Sequence, residues 1–196
     1  ASELQDKGVL ANCHVNVLQT QDHPQFKTYA EELKWLTTDT TRMTWIANTI
    51  KDIATSGNTL ILVDRISAGQ MLEKKIKDSV FVSGSTKNVD RKEQYDEVST
   101  ATNKVIIATY GVASVGINIP RIFNLVLIEP GKSFVRVIQS IGRGIRKAED
   151  KENVQIWDIT SSCKFAKRHL GARKKFYKEA NYPYNIEKVN YENPYT

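Results

Sequence analysis

Apolar residues along the chain follow two periodicities. Short runs rich in β-branched residues occur at Thr59–Val63, Val80–Val82, Val105–Ala108, Leu125–Ile128 and Val154–Ile159. Runs that are apolar at every position, not every second one, predict strands buried on both faces, as in a parallel sheet. Between them lie stretches of helical spacing: roughly Ser67–Lys77, Val89–Thr100, a short turn after Gly111, Ser133–Ile145 and Ser161–Ala180. Upstream, a helical region from about Thr28 to Thr55 carries Met43, Ile46, Ile50 and Ile53 on one stripe. Asp39-Thr-Thr is placed to break it in two, and Ser56-Gly57-Asn58 to end it. Cys13–Leu18 alternates weakly and predicts an edge strand. Strands alternating with helices imply right-handed crossovers and a three-layer α/β domain, its mostly parallel central sheet flanked by helices. The expected organisation is a linker over 1–12, the α/β domain over 13–180 and a C-terminal tail over 181–196.

With 196 residues, 40% hydrophobic and 26% charged, the chain has apolar material for one sizeable core. No apolar run approaches the roughly 18 residues of a membrane span, and no signal-peptide pattern opens the sequence. No membrane partner is expected. Cys13 and Cys163 are far apart and form no CxxC unit, which fits a reduced, cytoplasmic location. His14, His23 and His169 form no ligand cluster, so no metal site is expected in this chain. The net charge of +6 favours a polyanionic partner such as nucleic acid.

In a parallel α/β sheet, ligands gather beyond the carboxyl ends of the strands. The loops concerned are Asp64–Ile66, Ser83–Lys87, Thr109–Pro120 and Glu129–Ser133. Thr109-Tyr-Gly111 through Pro120 offers a hydroxyl, two glycines and the Asn118 amide, which suit a phosphate or ribose and equally suit an ordinary strand-to-helix connection. Gln139-Ser-Ile-Gly142-Arg143-Gly-Ile-Arg146 sets two arginines three residues apart, on nearly the same side of one helical turn. Such a pair fits charge developing on a transferring phosphoryl group, or is a solvated basic turn. Lys164, Lys167, Arg168, Lys174, Lys175 and Lys178 fall within one stripe roughly 120° wide on a helix, with Arg173 a misfit among the apolar residues opposite. The stripe is a solvated face or, on the sharper reading, tracks phosphates through Lys167, Lys174 and Lys178. The tyrosines of the tail suit stacking on bases or pinning the tail.

Three of these segments together resemble superfamily 2 helicases and translocases. Thr59-Leu-Ile-Leu-Val-Asp64-Arg65 resembles motif IV, Ala108-Thr109 with Gly116-Ile-Asn118-Ile-Pro120 resembles motif V, and Gln139, Gly142, Arg143 and Arg146 resemble the Q-x-x-G-R-x-x-R form of motif VI. They occur in the family's order, and the resemblance spans about Asn12 to Ala180. It implies a RecA-like fold and the second motor domain of an ATP-dependent DNA helicase. It also implies that Arg143 and Arg146 are catalytic, reaching across an interdomain cleft to the γ-phosphate. Gln139, Gly116 and Asn118 would lie at the nucleotide, and Thr109 on the nucleic-acid backbone. Gly84 and Ser85 resemble a second backbone-contacting loop. Asn118 departs from the pattern: many relatives carry Asp there to accept from ribose, and Asn accepts without the charge.

No G-x-x-x-x-G-K-[ST] is present. Gly131-Lys132-Ser133 imitates its end, but Val126 stands where the first Gly belongs and Pro130 precedes Gly131. No DExx run is present either. The expectation is half of a two-domain motor that uses ATP with Mg2+, the magnesium held mainly by an upstream RecA-like domain. This fragment alone is expected to be inactive and monomeric. Its implied partner is DNA, branched and met in recombination and repair. The alternative is a non-catalytic RecA-like module that binds nucleic acid or protein.

Overall fold

Seven strands lie parallel in one sheet: β1 (Cys13–Thr20), β2 (Thr59–Val63), β3 (Val80–Val82), β4 (Val105–Thr109), β5 (Asn124–Ile128), β6 (Val154–Ser161) and β7 (Tyr184–Val189), in the order β3-β4-β2-β5-β6-β1-β7. The structure is a computed structural model, and it describes residues 13–84, 103–114, 122–131, 134–135, 137–139 and 154–191. The expected helix over Val89–Thr100 lies outside them. The described helices are α1 (Tyr29–Thr38), α2 (Thr40–Ile53), α3 (Ile66–Lys75), the single-turn α4 (Tyr110–Ser114) and α5 (Lys164–Glu179). Residues 134–135 and 137–139 are also helical.

Alternation along the central strands feeds two cores. Leu60, Leu62, Ile106, Ala108, Leu125 and Leu127 pack with Val112, Phe134, Val137, Leu170 and Tyr177 on one face. Ile61, Val63, Val105, Ile107, Val126 and Ile128 pack with Met43, Ile46, Ile50, Ala68 and Leu72 on the other. A strand buried on both faces must be apolar at every position, so β2 and β5 read as continuous runs. The helices thus form an outer layer on each side, completing the expected three-layer RecA-like arrangement.

The break at Asp39 has a definite cause. Its backbone N–H donates to the Trp35 carbonyl at 2.9 Å, closing α1, while its carboxylate accepts from the Arg42 N–H at 3.0 Å, opening α2. One extended residue therefore caps two helices.

Two expectations change. β1 is not an edge strand, because β6 and β7 flank it. Its weak alternation reflects polar residues satisfied by its neighbours: Asn16 Nδ2 donates to Gln155 Oε1 at 3.1 Å, and His14 Nε2 lies 2.7 Å from Asn185 Oδ1. The stretch from 181 contains β7, which pairs with β1 in register from Val15↔Tyr184 to Thr20↔Val189. β7 is mostly exposed and polar, so hydropathy did not reveal it. Aromatic packing fixes its approach: the Tyr182 ring stacks on Tyr177, centroids 6.5 Å apart, and the Tyr191 hydroxyl donates to Asp22 at 2.6 Å.

Gly69 on α3 faces the Phe81 ring on β3, where an ideal Cβ would stand 2.3 Å from Cε1. Gly69→Ala adds about 1 kcal/mol of helix propensity but overpacks this contact, which costs about 1–3 kcal/mol. The expected result in thermal unfolding is a lower Tm. A raised Tm would show that β3 yields freely to the added methyl.

Candidate functional site

Because the strands are parallel, all their carboxyl ends share one edge of the sheet. That edge gathers Asp22 beyond β1, Asp64 beyond β2, Ser83 and Gly84 beyond β3, Thr109 at the end of β4, Glu129 beyond β5 and Ser161 at the end of β6.

Two arginines are buried at this edge, Arg42 at 0% and Arg173 at 1% exposure. Arg42 comes from α2. Its Nη2 donates to Glu129 Oε1 at 2.5 Å and to the Thr160 carbonyl at 3.2 Å, its Nη1 to the Leu36 carbonyl at 2.5 Å, and its Nε to Thr20 Oγ1 at 3.1 Å. Asp22 Oδ2 stands 3.6 Å from the same Nε and accepts from Thr20 at 2.6 Å and Ser161 at 2.5 Å. Arg173 comes from α5 on the opposite face. It grips Asp158 with Nε at 2.7 Å and Nη2 at 2.9 Å, and its Nη1 donates to the Pro130 carbonyl at 2.7 Å. The Tyr177 hydroxyl completes Asp158 at 2.7 Å. Such charges tolerate burial only when every donor and acceptor is engaged.

The electrostatics follow from this packing. Burial pushes the Glu129 carboxyl up to about 7, against the pull of Arg42 and Arg173. Burial also raises Asp64, offset in part by Arg65, and Asp64 Oδ1 is buried with no hydrogen-bond partner among the described residues. Cys13 and Cys163 are free, with burial pushing their thiols to about 12 and about 11, so neither is a ready nucleophile.

Thr109 and Gly84 lie at the carboxyl ends of neighbouring strands: Val82 pairs with Ala108, Thr109 ends β4, and Gly84 lies two residues beyond β3. Thr109 Oγ1 accepts from the Val112 N–H at 3.2 Å, which starts α4. Gly84 is exposed, and a Cβ there would meet nothing within 4 Å. Gln139 is helical and half-buried, following Val137 and Ile138, which are buried in the first core. Ser85, Gly116, Asn118, Arg143 and Arg146 lie outside the described residues.

Lys167 and Lys178 are exposed and Lys174 is half-buried. Arg173, the misfit of the stripe, is buried because it pairs with Asp158. Ala172, next to Arg173 on α5, is exposed. The N-terminus of α5 is closed to anions, since Glu32 accepts from the Phe165 N–H at 2.9 Å and the Ala166 N–H at 2.8 Å. Lys164 and Arg168 bracket the Phe165 ring at 5.4 and 5.5 Å. α5 packs against β6, three strands from β4, so about 14 Å of sheet separates this helix from Thr109. The basic stripe and the Thr109–Gly84 pair are therefore separate surfaces.

Sequence reading missed the buried network. Arg42 precedes Ile46 by four residues and so shares the apolar stripe of α2. With the misfit of Arg173, that was the available clue.

Residues 41–148 match the family model of the helicase conserved C-terminal domain. The chain is 28% identical over 186 residues to the ATP-dependent DNA helicase uvsW of Enterobacteria phage T4, covering 89% of this chain and 37% of that protein. The crystal structure of T4 UvsW superposes with a TM-score of 0.79 at 23% identity, over 91% of this chain and 42% of that one. The E. coli DEAD-box protein SrmB superposes with a TM-score of 0.62 at 16% identity, over 91% and 92% of the two chains. The chain thus spans less than half the length of the phage helicase it matches. The parallel sheet, its carboxyl edge and the sequence relationship lead to one assignment: the chain belongs to the helicase conserved C-terminal domain family.

Proposed function

We propose that this chain is the second motor domain of an ATP-dependent DNA helicase or translocase. In this reading ATP lies between its carboxyl edge and an upstream RecA-like domain, and the DNA is branched and met in recombination and repair. The observation that carries the reading is the Gln139–Arg146 motif, whose first residue sits on a helix leaving the carboxyl edge of β5. The described residues do not suit a complete triphosphate site. A side chain at Gly131 would stand 3.3 Å from the Tyr29 hydroxyl, so glycine here answers a local packing need. They do suit one wall of a shared cleft. Magnesium and the β-phosphate belong to the other wall.

Within that cleft Gln139, Gly116 and Asn118 contact nucleotide, and Arg143 and Arg146 stabilise charge on the transferring phosphoryl group. Thr109, Gly84 and Ser85 grip the DNA backbone, so closing and opening of the cleft moves one grip relative to another.

The isolated chain is expected to show no ATP turnover, and joining it to the upstream domain to give DNA-stimulated turnover. Robust hydrolysis by the isolated chain, lost in Arg143→Ala, would contradict the shared cleft.

In the full-length protein Arg143→Ala is expected to lower kcat by about 10³–10⁵, with a smaller change in ATP affinity. Arg143→Lys is not expected to rescue it, because an ammonium lacks the planar fork. Steady-state kinetics at saturating DNA reads both. Unchanged turnover would reduce the pair to a solvated turn.

For DNA, reversing Lys167, Lys174 and Lys178 to Glu tests the basic stripe. If it tracks phosphates, the slope of log K against log salt becomes shallower by about 0.7–0.9 per lost contact. Thr109→Val is expected to weaken binding with nearly the same slope. Fluorescence anisotropy on a branched duplex across a salt series separates them, and an unchanged slope in the triple variant returns α5 to a solvated face.

A further inference from the structure

The turn Glu129-Pro130-Gly131 joins β5 to the helix that carries Gln139, and two layers of the fold hold it at once. Arg42 reaches it from the helices on one face of the sheet, gripping the Glu129 side chain at 2.5 Å. Arg173 reaches it from α5 on the other face, gripping the Pro130 carbonyl at 2.7 Å. The Thr160 hydroxyl donates to Glu129 Oε2 at 3.2 Å, and the Glu129 N–H donates to the Ile159 carbonyl at 2.9 Å.

Glu129 itself has φ 45°, a left-handed conformation that glycine adopts at far lower cost. Glutamate at such a position is explained by its carboxylate, which only a side chain provides for Arg42 and Thr160. Four residues after Pro130, Phe134 packs edge-on against Phe176 of α5 at 5.1 Å and Tyr177 at 5.9 Å. The same helix that holds Pro130 therefore also seats Phe134, in the helical stretch before Gln139.

We propose that Arg42 and Arg173 are positioning residues for ATP turnover, clamping the Glu129–Gly131 turn from opposite faces of the sheet and so setting the direction of the helix that presents Gln139 to the cleft. This rests on the shared-cleft reading above. Each arginine acts through the turn and touches no reactant. Displacing a group at a reacting centre by about 1 Å costs on the order of 100-fold in rate, so a loosened turn lowers kcat while leaving substrate affinity largely in place.

The test uses full-length protein and four variants. Arg173→Lys keeps a charge toward Asp158, but a single ammonium is unable to span both its oxygens and reach the Pro130 carbonyl. Glu129→Gly adopts the turn conformation easily but removes the carboxylate that Arg42 holds. Leu72→Ala, in the second core on α3, is the stability control: it lowers Tm by opening a cavity with no link to the turn. Arg143→Ala reports on the cleft reading itself. All are assayed well below their Tm, with anisotropy confirming DNA binding. Arg173→Lys and Glu129→Gly are expected to lose about 10- to 100-fold in kcat at nearly unchanged KM for ATP, and Leu72→Ala to lose Tm but keep kcat. If the two turn variants keep kcat while Arg143→Ala loses it, the clamp is structural only and the cleft reading stands. If Arg143→Ala also keeps kcat, the cleft reading fails with it. Should Arg173→Lys not fold, Glu129→Gly decides alone.

Discussion

Two guanidinium groups buried beneath the carboxyl edge impose the strictest condition on this fold. A buried arginine loses its hydration, and a missing partner costs about 3–5 kcal/mol, so several elements must meet around each one. Arg42 gathers α1 through the Leu36 carbonyl, β1 through Thr20, β6 through Thr160 and the β5 turn through Glu129. Arg173 ties α5 to β6 and to the same turn. Asp22 extends the network to Tyr191, just beyond β7. Apolar burial supplies the driving force for the sheet and its layers, but it does not set which loop meets which. The polar network does so here, because misplacing any one segment strands a charge.

This network lies beneath the edge where nucleotide is proposed to bind. Parallel strands deliver their carboxyl ends to one edge, and loops there are free of the pairing that orders the strands themselves. Anchoring such loops from beneath leaves their outer surface available for ligand. Glu129 illustrates the division: its side chain points into the network, while the chain beyond it proceeds to Gln139. Thr109 has a similar double use, its oxygen starting α4 at the very edge where backbone contacts are proposed.

Much of the architecture was legible in the sequence. Runs such as Thr59–Val63 and Leu125–Ile128 are apolar throughout because both faces of a central strand are covered, and hydropathy reports that directly. Asp39 was legible as a break because its side chain is a good cap. β7 was not, since a strand paired on one side only and exposed on both faces carries ordinary surface residues. β1 looked like an edge because His14 and Asn16 are satisfied laterally by Asn185 and Gln155, contacts between residues more than a hundred positions apart. The same reason hid the arginine network. Arg42 and Arg173 are unremarkable as letters, and only tertiary partners make them structural. The site motifs are spacings in the sequence, and the roles given to them rest on the proposal, since Arg143 and Arg146 lie outside the described residues. The basic helix shows where spacing stops informing, since identical periodicity describes a solvated face and a phosphate track, and Glu32 capping its N-terminus could not be foreseen.

The central claim is that this domain forms one wall of a shared ATP cleft and offers its arginine pair to the reacting phosphate. The most direct measurement is a structure of the full-length protein with ADP and aluminium fluoride standing in for the transferring phosphoryl group. The account predicts the Arg143 guanidinium within hydrogen-bond distance of the fluoride, about 2.7–2.9 Å, with Arg146 beside it and Gln139 facing the same cleft. A closed complex in which the nucleotide is enclosed by the upstream domain alone, with Arg143 and Arg146 turned to solvent, would contradict it.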